Sequence, residues 1–334
     1  MNYIVLDLEW NQSPYGKIGE QKNLPFEILE IGAIKLNENR EYVDRYEGIV
    51  RPQVYKDLHY ETQKIIGTSL SEYTSTGRIF SVVAKEFLKW CGDDPIFCTW
   101  GILDLMELQR NMKYYGISYL LTGPMKYYDI QKLFSYAYED RKIRRTLEYA
   151  VEFLKIPEDE PFHRAVHDAS YTAKVFQQIN MDELSVFYSI DTYQAPKTQE
   201  EEIYAYYDIY SKYISREFDT REEAMADRNV ISYKCCICGR NIRKRIRWFS
   251  VHSSNYLSLS SCFRHGYMRG KLKFKKTDEE RWYAIKIIKK VSREEALRVK
   301  EKQEEVRKKR REKRKARYSE VKEADQNIEQ KAQI

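Results

Sequence analysis

The stretch "IVLDLEW" at residues 4–10 places two carboxylates, Asp7 and Glu9, at alternate positions after three apolar residues. Alternate side chains of a strand point to the same face, so this pair repels itself unless something cationic lies between the two groups. Hard divalent cations such as Mg²⁺ and Mn²⁺ prefer carboxylate oxygens as ligands. The pair is therefore a candidate half of a metal site.

Two later motifs supply further groups of the same kind. Asp104 lies in "TWGILD", after the short apolar run "PIFCTW", and His163 and Asp168 lie five residues apart in "FHRAVHDASYTAKVF". Two divalent cations about 3.5–4 Å apart can hold the attacking and leaving oxygens of a phosphodiester. A histidine that titrates near neutrality can accept the proton of the attacking water. Four carboxylates and one histidine at element ends thus predict phosphodiester hydrolysis.

The three motifs "LDLEW", "TWGILD" and "HRAVHD" resemble those of the DEDD exonuclease superfamily, in its histidine-containing (DEDDh) subgroup with RNase T and the DNA polymerase III proofreading subunit. "FEILEIGAIKL" resembles the strand that follows the first motif. The resemblance spans about residues 1–180. "LDLEWNQ" is most similar to a bacterial branch described as exonucleases that inhibit a sporulation-kinase pathway, and it also resembles eukaryotic exonucleases that trim small RNAs and ribosomal RNA ends.

The resemblance implies a ribonuclease H-like fold and a role for each motif residue. Asp7 and Glu9 would be ligands of two Mg²⁺ or Mn²⁺ ions, with Asp7 bridging both. Asp104 and Asp168 would complete the metal site, and His163 would be the general base. The family spacing of His, four residues, then Asp favours His163 over His167, which is the alternative base. The implied fold is a mixed five-stranded sheet flanked by helices.

Trp10 directly follows the second acid. Its indole ring is a candidate platform for the terminal base, because aromatic rings stack on bases of single strands. A core packing role for Trp10 is an equally good interpretation.

The cysteines of the C-terminal half have the spacing of a structural zinc site. Cys235 and Cys238 form one C-x₂-C pair, Cys262 and His265 form a C-x₂-H pair, and 23 residues lie between the two pairs. Paired knuckles of this kind hold one tetrahedral Zn²⁺. Cys236 is a spare thiol with poorer spacing, and unmetallated thiols are the alternative interpretation. The intervening segment is rich in arginine and aromatic residues, so we expect Arg243, Arg245, Arg247 and Trp248 to contact substrate.

Charge is distributed unevenly along the 334 residues. Residues 1–185 carry 22 Lys/Arg and 28 Asp/Glu, whereas residues 231–317 carry 29 and 9. The basic half is a candidate for binding nucleic acid, although a solvated charged helix is the alternative for its tail. The N-terminus lacks the pattern of a signal peptide and no stretch is apolar enough for a transmembrane helix. We therefore expect a soluble, cytoplasmic protein without a membrane partner.

The order of apolar patterns predicts an α/β protein with appended modules. The expected parts are an exonuclease domain over residues 1–182, a helical Tyr-rich connector over 183–230, a small zinc-ribbon-like basic β module over 231–292, and a charged helix with a disordered tail over 293–334. "KYYDIQKLFSYAY" is expected to be one helix.

The predicted function is a metal-dependent 3′–5′ exonuclease that acts on single-stranded nucleic acid, RNA ahead of DNA, and releases nucleoside 5′-monophosphates. The RNA preference comes from the resemblance alone. The alternatives are a catalytically weak regulatory module on a nuclease fold and a nucleic-acid-binding scaffold. All five catalytic positions are filled, which argues against a degenerate enzyme.

Overall fold

The computed structural model describes residues 1–66 and 69–331. The chain divides between Gln194 and Ala195 into two compact units. None of the described helices is both long enough and apolar enough to cross a membrane.

The first unit is built on a mixed sheet of six strands in the order β3-β2-β1-β4-β5-β6. Its strands are β1 (Asn2–Gln12), β2 (Phe26–Leu36), β3 (Tyr42–Ile49), β4 (Pro95–Thr99), β5 (Met125–Asp129) and β6 (Ser189–Asp191). β1 pairs with β2 antiparallel and with β4 parallel, so it lies in the middle of the sheet. β2 is apolar along nearly its whole length because both of its faces are buried.

Helices cover both faces of this sheet. They are α1 (Tyr60–Ile66), α2 (Leu70–Thr76), α3 (Phe80–Cys91), α4 (Asp104–Tyr114), α5 (Ile130–Tyr138), α6 (Leu147–Phe153), α7 (Ala165–Gln178) and α8 (Met181–Leu184). One apolar stripe of α3, through Phe80, Val83 and Phe87, packs on the core of β1, β2 and β4. This α/β arrangement confirms the predicted fold class.

Two details of the first unit differ from the sequence prediction. "KYYD" belongs to strand β5 rather than to the helix that follows, because it continues the parallel part of the sheet beside β4. A short sixth strand, β6, pairs with β5 and extends the unit to Gln194, beyond the predicted boundary at residue 182.

The second unit contains an antiparallel six-stranded sheet in the order β7-β8-β12-β11-β10-β9. Its strands are β7 (Ile203–Tyr206), β8 (Tyr210–Ile214), β9 (Arg243–His252), β10 (Asn255–Cys262), β11 (Gly266–Lys276) and β12 (Trp282–Lys290), with the short helices α9 (Arg221–Ala226) and α10 (Arg228–Ile231). The helical connector predicted over residues 183–230 is therefore wrong. Tyr204 and Tyr206 lie at alternate, exposed positions of β7, whereas Tyr213 of β8 is buried in the core of the second sheet.

The C-terminal helix α11 runs from Arg293 to Lys331. Its first turns pack on the second sheet, where Ala296 and Val299 are buried together with Phe249 and Leu259. Residues 325–331 belong to this helix, and the disordered tail stays a prediction. Residues 332–334 lie outside the described part.

Candidate active site

The central strand β1 places Asp7 and Glu9 on one face of the first sheet. In the register with β2, Asp7 lies opposite Gly32 and Glu9 lies opposite Glu30. The register shifts between Glu9 and Trp10, which is the irregularity of a β-bulge next to the two acids. The regular pairing of β1 with β2 is thus interrupted next to the candidate ligands and resumes at Trp10.

Asp104 reaches the same place from the neighbouring strand. It is the first residue of α4, shortly after β4, and it is buried. The backbone N–H groups of Asp104 and of Leu8, the residue between the two β1 acids, lower the pKa of the Asp104 carboxyl against the effect of burial. The Asp104 carboxylate therefore lies beside β1.

His163 and Asp168 come together at the start of α7. The backbone N–H of His163 donates to Asp168 Oδ2 at 3.0 Å, and His163 has a positive φ of 67°. This is a strained conformation for a non-glycine residue and is common at functional sites. Ligand atoms of Glu9, His163 and Asp168 all lie within 4.8 Å of one another.

A glycine allows α7 to lie directly on the sheet. A Cβ atom added at Gly32 would lie 2.1 Å from the Ala165 carbonyl carbon and 2.1 Å from the Val166 nitrogen. Because Gly32 is opposite Asp7 in the β1–β2 register, this close approach brings the first turn of α7 over Asp7. The absence of a side chain at residue 32 is what permits Asp168 to approach Asp7.

An ion pair between Arg164 and the buried Glu30 holds the N-terminal end of α7 on the sheet, and the sequence analysis did not predict it. The Arg164 guanidinium pairs with the Glu30 carboxylate at 2.9 Å, and Glu30 also accepts from Tyr73 Oη at 2.6 Å and from the Ala165 N–H at 3.2 Å. Glu30 is 1% exposed. The signal is present in "EILEIGAI", where Glu27 and Glu30 interrupt a strand that is otherwise apolar on both faces.

The electrostatics of the site favour a bound cation. Burial, followed by the charges of Asp104 and Glu9, raises the pKa of Asp7 well above its ordinary value. Burial, together with Asp168 and Glu30, raises the pKa of Glu9 to about 8. Burial likewise raises the pKa of Asp104 to about 7 and that of Asp168 to about 6. Four carboxylates that resist ionisation together are the donor set that dications stabilise.

Asp168 provides a direct test of the fit to a metal. Its Oδ1 atom is buried and has no hydrogen-bond partner among the described residues, whereas its Oδ2 is held by His163. A buried carboxylate oxygen without a donor is costly unless a ligand satisfies it. The residues present therefore fit a hard metal ion.

The acids open into a cleft of about 550 Å³. Its other walls are formed by Trp10, Trp100, Gly101, Ile102, Leu103, Gln131, Thr146, Leu147 and Glu148. Ile102 and Leu103 are exposed at this wall. Trp10 faces the cleft while its ring also contacts Phe26, with 5.6 Å between centroids, so it is part of the wall and of the packing; stacking on a base stays a prediction.

His167, the alternative general base, makes its contacts with the loop before α7. His167 Nδ1 hydrogen-bonds the Pro161 carbonyl oxygen at 2.9 Å, and His167 Nε2 lies 3.6 Å from the Glu160 carboxylate. His167 therefore braces the loop that precedes α7, and His163 is the histidine that meets Glu9 and Asp168.

A second cluster lies in the second unit. The structure brings Cys235, Cys238, Cys262 and His265 together: His265 Nδ1 is 3.4 Å from Cys235 Sγ and 3.5 Å from Cys262 Sγ, and the Cys238 and Cys262 sulfurs are 3.9 Å apart. The spare Cys236 instead contacts the Ile209 carbonyl oxygen and Met268 Sδ.

The predicted substrate-binding residues of the second unit separate into two groups. Arg243, Arg245 and Arg247 are exposed on β9. Trp248 is a packing residue, because its ring stacks on Tyr233 at 5.5 Å and its indole N–H donates to the Ile231 carbonyl at 3.1 Å. Trp248 thus contributes to the packing of the module, and a contact between Trp248 and substrate stays a prediction.

Comparison with known proteins places the first unit in one family. The family model described as Exonuclease (RNase_T) matches residues 4–176, which is more than half of the chain. No curated protein sequence matches significantly.

Three solved structures illustrate the similarity to known nucleases. The nuclease domain of 3′hExo, a DEDDh family member bound to rAMP, is 19% identical, with 57% of this chain and 96% of that chain covered and a TM-score of 0.47. Cell-death related nuclease 4 is 16% identical, with 57% and 65% covered and a TM-score of 0.44. Exonuclease I is 10% identical, with 78% and 55% covered and a TM-score of 0.48.

Proposed function

The chain belongs to the exonuclease family, and from that premise we propose that it removes nucleotides one at a time from the 3′ ends of single-stranded nucleic acid, RNA ahead of DNA. The observation that carries this proposal is the meeting of Asp7, Glu9, Asp104 and Asp168 at one cleft, with the buried Asp168 Oδ1 left for a ligand. The products would be nucleoside 5′-monophosphates.

Each residue of the site would have a defined chemical role. Asp7, Glu9, Asp104 and Asp168 would hold two Mg²⁺ or Mn²⁺ ions, which would supply charge stabilisation at the phosphate and a more acidic attacking water. His163 would accept the proton of that water on an imidazole nitrogen while the water oxygen bonds to phosphorus. The bond from phosphorus to the 3′-oxygen of the preceding nucleotide would then break. The indole of Trp10 would contact the terminal base.

The two histidines give a matched test of the general base. We expect His163→Asn to lower kcat by about 10²–10⁴-fold, because removal of a general base costs about that much. His167→Asn changes the same residue type four positions away and should retain kcat within a few-fold, since His167 braces the loop. Equal losses in both variants would contradict the assignment of His163 as the base. Rates on RNA and DNA of the same sequence would decide the substrate preference.

We further propose that Cys235, Cys238, Cys262 and His265 hold one structural Zn²⁺. Bonds of about 2.3 Å to sulfur and about 2.0–2.1 Å to nitrogen in a tetrahedral site imply separations of about 3.8 Å between sulfurs and about 3.5 Å from sulfur to nitrogen. The observed separations of 3.9 Å and of 3.4 and 3.5 Å agree with both values.

Two cysteine variants test the zinc site. Cys238→Ser should lose the zinc, measured as the metal content of the purified protein, and lower the melting temperature. Cys236→Ser removes a neighbouring thiol that is not in the cluster and should keep one zinc per chain. A zinc-free wild type, or equal zinc content in both variants, would contradict the site.

A further inference from the structure

The second sheet carries a row of cations on one of its faces. Arg269, Lys271 and Lys273 alternate along β11 with the buried residues Met268, Leu272 and Phe274, so the three cations share the opposite face. Lys289 of β12 lies directly opposite Arg269 and joins this face. We call Arg269, Lys271, Lys273 and Lys289 the β11–β12 face.

These cations are not balanced by acids. Among the side chains that the structure describes, those of residues 1–64 and 69–315, none pairs with Arg269, Lys271, Lys273 or Lys289 as a counter-ion. Partial desolvation and then repulsion from Arg269 and Lys289 lower the pKa of Lys271. Arg269 Nε is buried and has no hydrogen-bond partner among the described residues. Like charges held together without a counter-charge indicate a place for an external anion.

A groove continues the face toward helix α11. It has a volume of about 200 Å³ and is lined by Leu257, Arg269, Lys271, Glu295, Arg298, Val299 and Lys302. The buried contacts of Ala296 and Val299 with the sheet fix the helix at its edge. Four cations line this groove against one acid. Lys302 pairs with Glu305, so the positive excess comes from the other three cations.

We propose that the β11–β12 face and this groove bind the phosphate backbone of a single-stranded nucleic acid. Successive cations along β11 are about 6.8 Å apart, because alternate residues of a strand are two rises of about 3.4 Å apart. This spacing suits successive phosphates of an extended single strand. Ile285 and Ile287, opposite Lys273 and Lys271, are half-buried and offer apolar surface for sugars or bases. The proposal rests on the proposed exonuclease function only for the identity of the polyanion.

The test measures binding apart from hydrolysis. The full chain carrying Asp7→Asn is titrated with a 5′-fluorescein-labelled RNA of about 20 nucleotides in Mg²⁺-free buffer, and fluorescence anisotropy is recorded between about 50 and 300 mM salt. The test variant adds Arg269→Gln, Lys271→Gln and Lys289→Gln. The matched control adds Lys197→Gln, Arg228→Gln and Lys234→Gln instead, so that the same number of charges leaves exposed positions of the second unit outside the β11–β12 face.

For a single strand, each lost phosphate contact reduces the magnitude of the slope of log K against log salt by about 0.7. The test variant lacks three such contacts, so its slope should be smaller in magnitude by about 2 and its affinity about 100-fold lower at about 0.1 M salt. The control should lose only a few-fold. Lys271→Gln alone, at an exposed position, should lose about 5-fold at this salt concentration and provides a second measurement that perturbs the fold least.

Three outcomes would overturn the proposal. They are equal losses in the test and control variants, an unchanged salt slope in the test variant, and competition by poly-glutamate as effective as that by RNA of equal charge, which would indicate an acidic protein partner. Hydrolysis of a dinucleotide by the chain with Asp7 intact is measured separately. Its absence would contradict the exonuclease proposal and leave the binding result to be judged on the anisotropy data alone.

Discussion

Substitution of Gly32 by alanine probes how the fold sets the spacing of the catalytic groups. The added Cβ would lie 2.1 Å from backbone atoms of Ala165 and Val166, whereas ordinary contact begins at 3.4 Å, so the start of α7 must move by about 1.3 Å. That movement carries His163 and Asp168 away from Asp7. Misplacement by about 1 Å at an active site costs about 10²-fold in rate.

We therefore expect Gly32→Ala to lower kcat/KM by about 10²-fold on a 5′-labelled RNA oligomer with Mg²⁺. Overpacking should also lower the free energy of unfolding by about 1–3 kcal/mol. The rates are measured well below the melting temperature of the variant, so that the loss reports on geometry and not on unfolded protein.

Gly48→Ala is the matched control. It adds the same methyl group to the neighbouring strand β3, where the three atoms nearest to the Cβ belong to the side chains of Val83, at 2.5 Å, and Tyr46, at 2.9 and 3.1 Å. It should cost similar stability and retain kcat/KM within a few-fold. Full activity in folded Gly32→Ala, or an equal loss of activity in Gly48→Ala, would refute the idea that close approach of α7 at residue 32 sets the site.

Three further predictions concern buried charges. Glu30→Gln should lower kcat about 10-fold or more with little change in KM, because Arg164 loses its buried partner and the N-terminal end of α7 is held less firmly. The same loss should lower the stability, and the double variant with Arg164→Gln should recover part of it, measured by thermal unfolding. In metal-free buffer the free energy of unfolding should fall as the pH rises from about 5 to 8. The reason is that the folded state binds more protons than the unfolded state in this range, because the pKa of Glu9 is raised to about 8. Mg²⁺ should therefore restore more stability at pH 8 than at pH 5. In the second unit, burial lowers the pKa of Lys286 to about 7, so its contribution to the free energy of unfolding should rise between about pH 7 and about pH 10. Lys286→Met should remove that rise, measured by denaturant titrations. Identical pH profiles in the wild type and in Lys286→Met would contradict this prediction.

The catalytic groups can be predicted from the sequence because each lies at the end of a strongly patterned element. Asp7 and Glu9 follow an apolar run, and Asp168 lies in the first turn of an amphipathic helix, so their positions follow from local periodicity. The family resemblance then implies that these groups meet at one metal site. The residues that hold them there, Gly32 and Glu30, act through contacts between distant parts of the chain, and local patterns do not specify those contacts.

The second sheet shows where local patterns fail. They predict a helical segment over 183–230, but β7 and β8 form there because β8 pairs with β12, about seventy residues further on. Propensity is a weak guide when pairing with a distant strand and the burial of single side chains such as Tyr213 decide the structure. The packing of Trp248 on two core clusters shows a related limit, since a sequence does not distinguish an aromatic ring that stacks on a base from one that completes a small core.

The most direct test of the proposed mechanism follows a 5′-labelled RNA of about 20 nucleotides in Mg²⁺ with the wild-type chain and with Asp7→Asn. Asp7 is the residue on which the charges of Glu9, Asp104 and Asp168 converge, so its loss should disable the metal site without unfolding the sheet. We predict a ladder that shortens from the 3′ end with release of nucleoside 5′-monophosphates by the wild type, and no ladder with the folded variant. Shortening from the 5′ end, a ladder that persists in Asp7→Asn, or a wild type that leaves the RNA intact would contradict the mechanism.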